Sequence, residues 1–220
     1  MRNFFFLLLI PFLIISCGKK RKILAQGTES WPQDSVEFAT QLYLDHDSAF
    51  YTWTDKSTGR LFLIEKSASL QDLKDSTYSA FYYHENGNLM KVKSYDKKIP
   101  GNGMEYYPDK KKKSESRFQN GNLVEYTSWW ETGKVNIETK YLEGGKIIHN
   151  EYFENGNSAQ QLEVDSLWSG TCVNFYENGK KKGEGTIFHK NPSGIWKMYD
   201  SLGNPKQDTF FLAEGPLKRK

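Results

Sequence analysis

Turn-forming pairs recur along this chain at a fixed interval. Asn86-Gly87, Asp109-Lys110, Thr132-Gly133, Asn155-Gly156 and Asn178-Gly179 lie 23 residues apart, and Leu202-Gly203 follows after 24. A column of rings keeps the same period: Tyr83, Tyr106, Trp129, Tyr152, Phe175 and Tyr199 each stand four positions before the second residue of a turn. A unit this short cannot close a hydrophobic core alone, so neighbouring copies must stack into an array. Secondary turns at Lys97-Lys98, Asn120-Gly121, Glu143-Gly144 and Ser166-Leu167 fall midway, again 23 apart. Turns therefore arrive every 11 or 12 residues, with strand-like alternation between them. Asn-Gly and related pairs tolerate positive φ, which suits two-residue hairpin connections. The expected fold is all-β: an elongated antiparallel β-meander of about six 23-residue hairpin repeats, preceded by a small amino-terminal cap segment.

Composition agrees, because a chain that is 37% hydrophobic and 15% aromatic is skewed toward the ring residues that favour strands. The formal charge of +3 drops by one if Arg2 is removed with a leader. Such a balance implies no nucleic-acid partner.

Arg2 is followed by an apolar stretch from Phe4 to Ile15 that Pro11 interrupts, too short to cross a bilayer comfortably, so residues 1–16 read as a signal peptide. Ile14-Ile15-Ser16-Cys17 resembles a bacterial lipobox. That resemblance implies lipidation at Cys17 and a membrane tether through its acyl chains, with the outer membrane facing the periplasm as the expected location. Using Cys17 for lipid leaves Cys172 alone, so no intramolecular disulfide is expected. The remaining boundaries are a tether over 17–30, a cap segment over 31–77, the repeat array over 78–212 and a basic tail over 213–220. Within the cap, Phe50 to Asp55 and Arg60 to Glu65 flank Lys56-Ser57-Thr58-Gly59 as a hairpin, and Ser35 to Leu44 has the spacing of one or two helical turns.

Two further columns share the repeat. His84, Tyr107, Trp130, Phe153, Tyr176 and Asp200 follow the first column by one residue, and Tyr95, Phe118, Tyr141 and Val164 lie on the return strands. Alternation puts the first two columns on opposite faces. The first column, the structural one, is expected to pack beside the third as the core. Tyr107, Trp130, Phe153 and Tyr176 are then an exposed stripe and the candidate partner-binding surface.

The unit of glycine, aromatic pair, turn and polar return strand resembles the bacterial variant of the MORN repeat, most closely at Tyr176-Glu177-Asn178-Gly179-Lys180. The resemblance covers about residues 78 to 210. It implies a single-layer β-meander serving in binding or scaffolding; some bacterial proteins with this repeat are labelled antitoxins. Lys110 and Leu167 depart from the pattern at their turns.

No catalytic residues, cofactor or metal site are expected. His46, His84, His149 and His189 form no metal-spaced pair, and Cys172 has no activating neighbour in sequence. Glu85, Glu131, Glu154 and Glu177 recur at a spacing of ~10 Å, too wide for one cation to bridge. Lys110 to Lys113 and Lys180 to Lys182 read as solubilising turn charge that blocks edge pairing. The expected function is a non-catalytic, lipid-anchored envelope protein that binds a protein partner or scaffolds an assembly. The alternatives are neutralising a cognate effector, as an antitoxin or immunity protein does, and binding a glycan or lipid headgroup.

Overall fold

The computed structural model describes residues 21–30 and 36–212. The expected signal peptide over 1–16, Cys17 and the expected basic tail over 213–220 lie outside the described residues. The chain divides into two compact units at Lys111 and Lys112.

In the first unit β1 (Arg21–Ser30), β2 (Glu37–Asp45), β3 (Ser48–Asp55), β4 (Leu61–Ser67), β5 (Tyr78–Tyr83), β6 (Leu89–Asp96) and β7 (Ile99–Tyr106) pair antiparallel in chain order. A single helical turn, α1 (Leu70–Lys74), joins β4 to β5; Ser69 caps it by accepting from the Asp72 N–H at 3.1 Å. The second unit continues the pattern with β8 (Lys112–Gln119), β9 (Asn122–Trp129), β10 (Val135–Tyr141), β11 (Ile147–Tyr152), β12 (Ser158–Val164), β13 (Gly170–Phe175), β14 (Lys181–Phe188), β15 (Asn191–Met198) and β16 (Thr209–Phe211). The all-β antiparallel meander of hairpin repeats is therefore what the chain forms.

Two expectations for the amino-terminal segment are corrected. Residues 21–30 are not a tether but strand β1, paired with β2 along its length. The segment expected to be helical from Ser35 to Leu44 is strand from Glu37 onward, Ser35 lying outside the described residues: Phe38 and Thr40 are buried while Glu37 and Ala39 are exposed, which is the two-residue period of a strand. The hairpin around Lys56 to Gly59 forms as expected, closed by Gly59 N–H to Asp55 C=O at 2.8 Å.

The main turns also differ in type. All six are three-residue loops in which the residue before the loop donates its N–H to the residue after it and accepts from the third loop residue. Phe153 N–H donates to Asn157 C=O and Gly156 N–H to Phe153 C=O, both at 2.8 Å, and the same pair of bonds closes the loops after His84, Tyr107, Trp130, Tyr176 and Asp200. The third loop residue has positive φ throughout, from 74° at Lys110 to 97° at Gly156. Two-residue turns with both φ positive occur at secondary positions instead, at Lys97-Lys98, Asn120-Gly121 and His189-Lys190. The 24-residue interval is absorbed in β15, where Gly194 at φ 70° opens a register shift between Ser193 and Lys197.

Candidate functional site

The second unit has one face that buries side chains and one that stays open; in the first unit Tyr43, stacked on Phe50, is buried on the side of β2 opposite Phe38 and Thr40. In the second unit the buried face carries Ile147, Leu162, Val164, Cys172, Ile187 and Trp196, with Tyr141, Trp168, Met198 and Phe211 packed against them. Its first strands are polar where they are buried, at Ser114, Ser128 and Thr139. Phe38, Trp53, Leu63 and Ala80 form the corresponding cluster of the first unit. Stepping by twos along β11 and β13 from Ile147 and Cys172 leads to Phe153 and Tyr176.

The second ring column thus continues the buried side, and the expectation that it forms the exposed stripe is corrected. Tyr107, Trp130, Phe153 and Tyr176 are half-buried, and each closes its own turn through backbone N–H and C=O. The polar ends of the column reach the next repeat: Trp130 Nε1 donates to Tyr152 C=O at 3.2 Å, Tyr176 Oη donates to Tyr199 C=O at 3.0 Å, and His84 Nε2 lies 2.9 Å from Tyr106 C=O. These rings stitch one repeat to its neighbour. The third column packs on this same face and not beside the first. Tyr95 meets Tyr78 at 5.1 Å between ring centroids, and Val164 stands opposite Gly170 beside Ile147.

The first column lies on the open side. Trp129, Tyr152, Phe175 and Tyr199 are half-buried among Glu138, Asn150, Gln161, Val173, Glu184 and Lys197, which pair across the strands on that side. Their hydroxyls are used by the return strands: Tyr152 Oη donates to Glu138 at 2.8 Å and Tyr199 Oη donates to Glu184 at 2.7 Å. Burial raises the Tyr152 phenol, and the Glu138 carboxylate adds to it. Glu184 holds the Tyr199 phenol up, while Lys181 at 2.7 Å and then Tyr199 hold the Glu184 carboxyl below its ordinary value. At one end of this face Ile195 and Phe210 stand opposite each other, 66% and 67% exposed.

Sequence reasoning missed a ladder along the main turns. Asn155 Oδ1 accepts from Asn157 N–H at 2.8 Å within its own loop, while the Nδ2 atoms of Asn155 and Asn157 both donate to Glu177 C=O in the next loop at 2.8 Å. Asn86 and Asn88 do the same toward Pro108 C=O, and Asn178 Nδ2 reaches Ser201 C=O at 2.7 Å. The recurring Asn-Gly-Asn of 86–88 and 155–157 was the available signal.

The remaining singled-out side chains have structural surroundings. His149 is buried between Thr139 Oγ1 at 2.8 Å and Glu151 at 3.1 Å, edge-on to Trp168. His46 lies beside Asp45 on an exposed turn, and His189 stacks on Phe188. Burial pushes the Cys172 thiol up to about 11, with Glu151 adding to the shift. Lys112 and Lys181 each pair with a glutamate three residues on.

No curated protein matches the chain. A family model described as a MORN repeat variant matches residues 79–97, which run from β5 through its main turn to the end of β6, and residues 168–189, which do the same for β13 and β14. The chain carries MORN-type repeats.

Proposed function

We propose that the protein is a non-catalytic, lipid-anchored component of the cell envelope whose repeat sheet binds a protein partner through its open face. The observation that carries this reading is the composition of that face. Trp129, Tyr152, Phe175 and Tyr199 recur among hydrogen-bonding and charged side chains, and the row ends at the exposed pair Ile195 and Phe210. Tyrosine, tryptophan and phenylalanine are the side chains enriched at protein interfaces, and paired apolar residues left in water favour being covered. The anchor is the lipobox cysteine, Cys17; Cys17→Ser is expected to release the chain from membranes with its strand content intact, and retained labelling by a palmitate analogue would refute the anchor.

Affinity capture from gently solubilised envelopes tests the binding face. One partner retained by the parent and lost by Ile195→Asp with Phe210→Asp supports the reading. A captured secreted toxic enzyme would make the function effector neutralisation. Retention on a glycan matrix without a protein partner would replace protein binding by glycan binding.

A further inference from the structure

Strand β1 ends its sheet, with β2 as its one neighbour among the described residues. It is ten residues long, contains no proline, and is exposed except at the half-buried Ile23 and Leu24. An open edge of this length is a template for another strand. The edge is also self-complementary. Phe38, Thr40, Leu42 and Leu44 share one side of β2, and opposite them in β1 stand Glu29, Gly27, Ala25 and Lys22. Lys22 and Glu29 are an odd number of residues apart, so an unbroken strand would put them on opposite sides. A bulge at Leu24, between Ile23 and Ala25, brings both to the same side.

A two-fold axis perpendicular to the sheet through Gln26 uses that bulge. Gln26 then faces Gln26 of the partner subunit and Ala25 faces Gly27 of the partner subunit. Past the bulge, Ile23 faces Thr28 of the partner subunit, Lys22 faces Glu29 of the partner subunit, and Arg21 faces Ser30 of the partner subunit. Every pair keeps its side of the sheet, and the basic end of each strand lies against the carboxylate of the other. Within one chain, Glu29 accepts from Tyr51 Oη at 2.7 Å and Trp53 Nε1 at 3.2 Å. Those neutral donors fix the carboxylate without cancelling its charge.

We propose that β1 is a homodimer edge whose occupant is β1 of a second copy of this chain, paired antiparallel about Gln26. The arrangement is isologous and closes at two copies. It is independent of the open-face reading, since the edge and the face use different residues.

Sedimentation equilibrium of the full chain is the first test, with a dimer expected. Lys22→Glu sets two carboxylates against each other and should weaken the dimer by about tenfold or more. Combining it with Glu29→Lys restores opposite charges and should recover dimerisation. In a Cys17→Ser background, Gln26→Cys should cross-link to itself under mild oxidation, because directly opposed residues lie ~4.5–5.5 Å apart, within disulfide reach. Thr28→Cys, which faces Ile23 of the partner subunit, should not. A monomer at all concentrations, an unchanged constant in Lys22→Glu, or cross-linking by Thr28→Cys and not Gln26→Cys would overturn the proposal. Strand content by circular dichroism separates loss of pairing from loss of folding in each variant.

Discussion

Asn155 uses both ends of one amide, its oxygen inside its own loop and its nitrogen on the Glu177 carbonyl of the next. Asn155→Ala removes both bonds and should cost ~1–2 kcal/mol in urea unfolding, whereas Asn155→Asp keeps the acceptor and should cost about half as much. No loss in Asn155→Asp would mean that the stitch between loops contributes nothing, and equal losses that the bond inside the loop contributes nothing. Lys110 occupies the left-handed position, φ 74°, that glycine holds in the other five main loops. A side chain there costs ~1–2 kcal/mol of backbone energy, partly offset by the extra unfolded-state freedom of glycine. Lys110→Gly should therefore stabilise the protein by up to about 1 kcal/mol, read as a higher unfolding midpoint. Cys172, 2% exposed with its thiol pushed up to about 11, stays protonated and inaccessible at pH 8. Iodoacetamide should modify it only after unfolding.

At the scale of elements, the hairpin between β3 and β4 depends on one carboxylate. Asp55 Oδ1 accepts from Ser57 N–H at 2.8 Å, Ser57 Oγ at 2.7 Å and Thr58 N–H at 3.2 Å, and the Ser57 bonds lead in lowering its pKa to about 2. Because the folded value lies below the unfolded one of about 3.9, the stabilisation is complete above pH ~4 and is lost as pH falls toward 2. Asp55→Asn should flatten the acid dependence of stability across that window; an unchanged slope would show that the turn does not titrate. The strands and their boundaries were legible because Gly, Asn and Lys mark the turns at a constant period. Loop type was not, since Asn-Gly serves equally as a two-residue turn or as the last two residues of a three-residue loop. Only φ, positive at Gly156 and not at Asn155, tells them apart. In β2, Phe38, Ala39, Leu42 and Tyr43 have helical spacing; the alternation is completed by the buried hydroxyl residue Thr40, which an apolar pattern does not count.

Over the whole molecule, ring pairs such as Tyr152-Phe153 hid the identity of the buried face. Both members are half-buried, because a single-layer sheet gives neither side full cover and the second member sits where the strand passes into the loop. The face became visible only through residues lower on the strands, Ile147 and His149 in β11 and Cys172 in β13, which pack from strand to strand. A column that closes loops and stitches repeats is a stabilising device, and under the proposed function the opposite column meets the partner. The decisive measurement compares two double variants, Trp130→Ala with Tyr176→Ala and Tyr152→Ala with Phe175→Ala, for unfolding midpoint and for partner retention in affinity capture. The first pair should lower stability by several kcal/mol, at roughly 2–4 kcal/mol for each ring removed, while the second should keep the fold and lose the partner. A first pair that folds as stably as the parent and alone loses the partner would reverse the roles of the two faces.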